Sequence, residues 1–324
     1  MKVFIERHKI GRGFSYYRKD SKVTDKDQLE RINAFVIPPA WNEVKIAVNE
    51  KSKIQVEGRD AAGKKQYIYS PRHVATQHAA KFDRTVQFAL KLPSIRRRMN
   101  KDLKRRKFDK DKILACTVSL MDKTYLRVGN EQYAKKNSSY GLTTLRHKHV
   151  SVQNDQIVFD FIGKSGKQQY KEVQDAEIAR IIKKLDELPG YEIFRYYNEN
   201  NKLVDLKSSD VNEYIRLVMG EDFSAKDFRT WGGTMVAALE LANCDRPDTV
   251  TARKKVITET VKKVAAELGN TPAIARASYI DPYLFDQFEK SDTIAQRFRQ
   301  IKKLRKMPYL SKDEQCVVKL LSNK

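Results

Sequence analysis

Apolar positions recur at every second residue in short runs up to about residue 70. The runs "VKIAV" (44–48) and "KIQVE" (53–57) have this strand pattern, with "NEKS" as the turn between them. The stretch "GRDAAGKKQYIYSP" (58–71) is a glycine-containing loop that leads into a further strand, "QYIY". One helix interrupts the strands. Leu29, Ile32 and Phe35 share a face across 24–35, Thr24 is placed to cap it, and Pro38 and Pro39 end it. From about residue 72 the spacing becomes helical. Residues 72–92 read as one helix stopped by Pro93, 94–112 as a densely basic stretch, and 113–137 as a long apolar-centred helix with a breaker at Gly129.

The period of two then returns in "KHVSVQ", "QIVFDF" and "KQQYKEV". Turns at Asn154-Asp155 and at "GKSGK" make these a small antiparallel sheet. The remainder reads as helical, in roughly seven segments. No internal repeat or low-complexity linker separates the parts. The expected class is α+β: a small β-rich N-terminal domain over 1–75, then a larger, mainly α-helical domain over 76–324 that carries the small sheet. A chain of 324 residues also favours two domains over one.

Composition narrows the class of partner. There are 64 Lys and Arg against 41 Asp and Glu, a formal charge of +23, which points to a polyanion, with nucleic acid first. A membrane partner is disfavoured, because no apolar run approaches the ~20 residues of a span and no basic amphipathic helix has an aromatic apolar face. The start of the chain, "MKVFIERHKIGRGF", lacks the apolar core and cleavage site of a signal peptide. Cys116, Cys244 and Cys316 are scattered, which argues against a disulfide framework and a zinc site and fits the cytoplasm.

The candidate chemistry is sparse in histidine. All five (His8, His73, His78, His147 and His149) precede residue 150, and none forms a cluster with metal-ligand spacing. The stretch "FIGKS" has a P-loop flavour, but Val158 stands where the required glycine would be, so no nucleotide site is expected there. What remains is a set of isolated cations. Arg127 interrupts the apolar face of "TYLRVGNEQY", Lys164 sits at the hairpin tip "FIGKSGKQQ", and Arg229 lies in "KDFRTWGGT" beside a glycine pair. Singly, each has an ordinary reading: a partner for a buried carboxylate, a solvated turn residue, a snorkelling or capping side chain. Tyr279, at the end of the small-residue run in "GNTPAIARASYIDP", could likewise simply pack with its hydroxyl satisfied.

Together they suit one reaction. A phenolate can attack a DNA phosphodiester, fixed guanidiniums meet the extra negative charge bidentately, and a lysine supplies the proton that the leaving 5′ oxygen needs. Nearby cations favour the phenolate of a tyrosine. No metal and no nucleotide cofactor is needed. Small residues before Tyr279 leave its helix free to lie against DNA.

At these residues the chain resembles the type IB DNA topoisomerases, most of all their compact poxvirus-type and bacterial members. "ERINAFVIPPAW" and "GRDAAGKKQYIYSPRH" are similar to the family's N-terminal β domain. "TYLRVGNEQY", "FIGKSGK", "KDFRTWGGT" and "GNTPAIARASYID" are similar to its catalytic domain, in the same order. The resemblance implies that Arg127 and Arg229 bind the scissile phosphate, that Lys164 is the general acid, and that Tyr279 forms a 3′-phosphotyrosyl link. Asn270 stands where poxvirus and nuclear members have histidine and where bacterial members have asparagine; it can donate one hydrogen bond but cannot titrate near neutrality. Lys64, Lys65, Gln66, Tyr67 and Tyr69 fall in a stretch that in the family reaches the DNA groove, and Tyr133 and Lys226 match phosphate-contacting positions. The implied partner is double-stranded DNA, clamped by a monomer, in the cytoplasm and associated with DNA, with relaxation independent of ATP.

Two rivals remain. A tyrosine recombinase would typically carry histidine three residues before the second arginine, where this chain has Lys226. A non-enzymatic nucleic-acid binder would account for the charge but not for the order of Arg127, Lys164, Arg229 and Tyr279. The basic run from Arg96 to Lys107 either tracks the DNA backbone or is only a solvated face.

Overall fold

The computed structural model describes residues 3–290, 298–299 and 307–322. The chain folds as two compact units, 1–81 and 82–324.

The first unit is a six-stranded antiparallel sheet: β1 (Phe4–Ile10), β2 (Gly13–Arg18), β3 (Ser21–Lys22), β4 (Asn42–Ala47), β5 (Ile54–Arg59) and β6 (Lys65–Tyr69), in the order β3-β2-β1-β4-β5-β6. Helix α1 (Lys26–Ala34) places Ile32 in a core with Ile5, Val44, Ile46 and Val56. Its cap is Asp25 rather than Thr24. The Asp25 carboxylate accepts the Gln28 amide at 2.8 Å, which starts the helix one residue later than the pattern predicts. Strand β6 lies at the sheet edge. Lys65, Tyr67 and Tyr69 alternate with Gln66 and Ile68, and Ile68 packs against the core while the other face is exposed.

The second unit departs from the periodicity reading at three places. Pro93 does not end the helix that contains it: α2 runs from Pro71 to Leu103. A proline removes one backbone bond, at a cost of ~3 kcal/mol, but Ile95, Met99 and Leu103 continue the buried stripe of Phe88 and Leu92 across it. Burial of three large apolar side chains outweighs that cost. The helix stops after Leu103, whose carbonyl accepts the Lys112 ammonium at 2.7 Å.

Helix α3 (Lys110–Thr124) breaks at Tyr125, four residues before the expected Gly129. Tyr125 adopts a left-handed φ of 55°, so residues 125–130 are not helical, and α4 (Glu131–Asn137) starts afresh with Asn130 as its cap. The extended backbone after Tyr125 is held by the Leu142 and Thr143 amides, which donate to the carbonyls of Arg127 and Val128 at 2.9 and 2.7 Å.

The small sheet is found as expected: β7 (Val150–Gln153), β8 (Gln156–Ile162) and β9 (Gln168–Gln174), antiparallel in that order. The region beyond it is not wholly helical, however. A short hairpin, β10 (Arg195–Tyr197) with β11 (Leu203–Asp205), lies between α5 (Ala176–Asp186) and α6 (Ser208–Met219). Three-residue strands are too short for a period of two to register. There follow α7 (Ala225–Ala242), α8 (Val250–Leu268), α9 (Pro272–Tyr279), α10 (Tyr283–Lys290) and a C-terminal helix, Lys312–Leu321. Of the helical reading, positions 291–297, 300–306 and 323–324 lie outside the described residues.

Much of the basic run is neutralised inside this unit. Arg96 on α2 binds Asp122 of α3 at 2.7 Å and Glu314 of the C-terminal helix at 2.7 Å. Arg98 pairs with the buried Asp102, and Arg105 with Asp109. These three arginines thus already have carboxylate partners within the protein.

Burial raises the Glu314 carboxyl, but Arg96 and the Ser311 amide outweigh it and hold the group below its ordinary 4.5. Its stabilising contribution is therefore present above 4.5 and is lost as pH falls through the lowered value. Glu314→Gln is expected to cost about 3 kcal/mol in urea unfolding near neutral pH, with the gap to wild type closing on acidification. A gap that does not change with pH would mean that the pair contributes by shape alone.

Candidate active site

Four elements converge on one phenol. Tyr279 ends α9, a helix opened by the Thr271 cap and by Pro272 in its first turn. Only Ala275 of this helix is buried, and Ala273, Ile274, Arg276 and Ala277 face solvent. The small residues thus leave an open helix surface beside the tyrosine.

Arg229 comes from α7 and is 4% exposed. Its guanidinium is held by two backbone carbonyls: Nη1 donates to that of Tyr125 and Nη2 to that of Leu268 at 2.8 Å. The Tyr125 carbonyl is available because the chain leaves the helix there. The guanidinium carbon lies 5.2 Å from the centre of the Tyr279 ring. Its Nε is buried and has no hydrogen-bond partner among the described residues. Arg127, on the extended segment after α3, donates to the Asn270 side-chain oxygen at 2.5 Å. The Asn270 Nδ2 donor is buried and also without a partner among the described residues. Among the described residues no carboxylate pairs with Arg127 or Arg229.

The electrostatics follow from this arrangement. Burial first, and then the neighbouring Arg127 charge, pull Arg229 down to about 10 from 12.5, against the pull of Tyr279. Burial lowers Arg127 as well. For Tyr279, burial alone raises the phenol. The charge and hydrogen bond of Arg229, then the charges of Arg127 and Lys226, outweigh it and leave the group below its ordinary 10.0. The site therefore eases ionisation of the phenol and holds two buried donors without partners among the described residues.

The glycine pair beside Arg229 acquires a physical reason. A Cβ on Gly232 would run into the Tyr125 ring, and one on Gly233 would lie 2.6 Å from the Tyr279 carbonyl oxygen. The pair lets α7 touch both the segment that carries Arg127 and the end of α9. Thr234 seals the contact, donating to the Tyr279 carbonyl at 3.3 Å.

Lys164 stands in the turn between β8 and β9 and is exposed. The hairpin reaches the other residues through a side chain that the sequence pattern did not single out. The Lys167 ammonium donates to the Asn270 backbone carbonyl at 2.6 Å. Tyr125, the residue that ends α3 and supplies a carbonyl to Arg229, was also missed. Its only signal is its place two residues before Arg127.

Of the remaining candidates, Lys226 acts on this cluster: its charge reaches Tyr279 from the exposed start of α7. Tyr133 is half-exposed on α4. Lys65, Tyr67 and Tyr69 form the exposed face of β6, with ring centres 6.2 Å apart for the tyrosines and 5.4 Å from Tyr69 to His73. Lys64 precedes them in the turn. Gln66 faces the other way and donates to Asp60 at 2.7 Å, so its amide is already engaged within the loop.

Known proteins are similar to this chain over most of its length. Residues 70–307 match the model described as the eukaryotic DNA topoisomerase I catalytic core, and residues 13–60 match the bacterial DNA topoisomerase IB N-terminal domain. The DNA topoisomerase 1B of Acanthamoeba polyphaga mimivirus is 33% identical over 296 residues, covering 89% of this chain and 88% of the relative. That of Vaccinia virus (strain Copenhagen) is 28% identical over 225 residues, covering 69% and 68%. DNA topoisomerase 1 of Schizosaccharomyces pombe (strain 972 / ATCC 24843) is 27% identical over 180 residues, 55% of this chain but 21% of the relative.

Gly233→Ala is expected to destabilise the fold by about 1–3 kcal/mol in urea unfolding, because the added methyl must displace the Tyr279 backbone. A variant as stable as wild type would mean that the α7–α9 contact yields without strain.

Proposed function

The chain belongs to the type IB DNA topoisomerases, enzymes that relax supercoiled DNA without ATP, and on that premise we propose how its residues divide the reaction. The Tyr279 phenolate attacks the scissile phosphorus. The bond to the 5′ oxygen breaks, Lys164 delivers a proton to that oxygen, and a 3′-phosphotyrosyl link remains. Arg127, Arg229 and the Asn270 amide hold the non-bridging oxygens as their charge grows. The free 5′-hydroxyl end swivels about the intact strand. Its oxygen then attacks the phosphotyrosine, returns its proton to Lys164, and restores the phosphodiester. The energy of the broken bond is kept in the covalent link, so none is needed from a nucleotide.

One observation carries this division of labour: two buried or half-buried guanidiniums without carboxylates among the described residues, together with an unpartnered amide donor, surround a single phenol. A structural arginine in this same fold, Arg96, has two carboxylates. A phosphate is the counter-charge that suits the first arrangement.

DNA is held by more than this centre. Lys64, Lys65, Tyr67 and Tyr69 of the N-terminal unit bind the duplex, the lysines at phosphates and the tyrosine face along the groove, while Gln66, held by Asp60, keeps the loop in shape. Tyr133 and Lys226 contact phosphates near the scissile bond. The N-terminal unit thus binds DNA and the second unit cuts it, and the protein acts as a DNA-associated monomer engaged on the duplex with both units.

Plasmid relaxation in EDTA without ATP tests the assignment of the nucleophile. Tyr279→Phe is expected to abolish relaxation and the covalent adduct while leaving duplex affinity unchanged. A Tyr279→Phe protein that still forms an adduct would move the nucleophile elsewhere.

The pH profile of single-turnover cleavage tests the electrostatics. Cleavage is expected to rise with pH as Tyr279 ionises and to level off below the 10.0 of an ordinary tyrosine. Lys226→Met removes a positive charge, so its inflection moves upward, with cleavage about 3- to 10-fold slower near neutral pH. An unmoved inflection would mean that Lys226 acts on DNA alone.

A further inference from the structure

The β8–β9 hairpin is fastened to the loop between α8 and α9 along one face of one strand. Lys167, Gln169 and Lys171 alternate onto that face. Lys171 pairs with Glu267 on the last turn of α8 at 2.5 Å. The Gln169 amide fills the space beside Gly269, where φ is +59° and a Cβ would collide with it. Lys167 completes the row with its 2.6 Å bond to the Asn270 carbonyl. The last contact lies nearest the turn, three residues from Lys164. It also binds the backbone of the residue whose side chain meets Arg127.

Lys164 itself has no such anchor among the described residues. It is exposed, and the turn after it passes through two left-handed residues, Ser165 at φ 62° and Gly166 at φ 70°. A turn of that shape leaves the Lys164 ammonium free to sample many positions unless something fixes its base.

We propose that Lys167 is a positioning residue for the Lys164 acid: its bond to the Asn270 carbonyl fastens the hairpin turn to the phosphate clamp, so that proton donor and clamp meet the scissile phosphate as one unit. This rests on Lys164 being the general acid. Lys167 touches neither the phosphate nor the leaving oxygen. Its effect is confined to the step in which the 5′ oxygen takes a proton, because Arg229 is held by other contacts and the Asn270 backbone, whose side chain meets Arg127, keeps its own bond to the Ala265 carbonyl at 2.8 Å.

That confinement makes the role measurable. Single-turnover cleavage is compared on duplexes with a bridging 5′ oxygen and with a bridging 5′ sulfur, for wild type, Lys164→Ala, Lys167→Ala and Lys167→Arg. A sulfur leaving group departs without a proton, so it bypasses the acid and whatever positions the acid. On the oxygen duplex Lys167→Ala is expected to be about 10- to 100-fold slower than wild type. On the sulfur duplex it is expected to lie within about threefold of wild type. Lys167→Arg, which can still donate to the carbonyl, is expected to keep most of the oxygen rate and serves as the folded control. If Lys164→Ala is rescued by sulfur and Lys167→Ala is not, Lys167 acts on the clamp or the fold and the proposal is wrong. Wild-type speed of Lys167→Ala on oxygen overturns it as well. If sulfur fails to rescue Lys164→Ala, the acid assignment falls, and the positioning role falls with it.

Discussion

The constraint on which this fold turns is the burial of Arg229 without a carboxylate. Burial and the nearby Arg127 charge bring the guanidinium from 12.5 to about 10, a displacement equivalent to about 3 kcal/mol. That cost is a sizeable part of the ~5–15 kcal/mol by which domains are stable. A carboxylate at the same place would remove it, as two carboxylates do for Arg96 on α2. It would also neutralise the cation proposed to hold the scissile phosphate. The fold instead supplies two backbone carbonyls, those of Tyr125 and Leu268, which orient the group without cancelling its charge.

Several features follow from that choice. The Tyr125 carbonyl is available only because α3 stops in a left-handed residue there, and the Leu268 carbonyl only because α8 ends at that residue. Gly232 and Gly233 bring α7 close enough for Arg229 to reach both. The same helix ends that free carbonyls for Arg229 deliver Arg127 and Asn270 to the site on the residues that follow. Helix ends rather than helix faces therefore build the site, and the packed interiors of α2, α3 and α7 hold those ends still.

This division explains what the sequence did and did not make legible. The period of two located β7, β8 and β9 because these strands are four to seven residues long and alternate between a more buried and a more exposed face. Arg127, Lys164, Arg229 and Tyr279 stood out as charges and a phenol in apolar or small-residue surroundings, the family resemblance added Asn270, and Arg127, Arg229, Asn270 and Tyr279 are neighbours in the fold. Helix limits were less accessible. Pro93 is a local breaker overruled by burial of Ile95, Met99 and Leu103, which is a tertiary effect. Tyr125 ends a helix although tyrosine carries no stop signal, because its ring packs where Gly232 leaves room. Lys167 looked like any turn lysine, since its partner is a backbone carbonyl 103 residues away.

The charge of the chain offers the same lesson in another form. A surplus of +23 indicates a polyanionic partner but does not say which of the 64 cations meets it. Density along the sequence misleads here. The run from Arg96 to Lys107 is the densest, yet Arg96, Arg98 and Arg105 each bind carboxylates within the protein. Arg127 and Arg229 are isolated in sequence and have none among the described residues. A cation buried beside an acid has already spent its field on the fold, whereas one buried among carbonyls keeps it for a ligand. The arginines to follow in a basic protein are therefore those that the fold confines and leaves uncompensated, wherever they fall in the sequence.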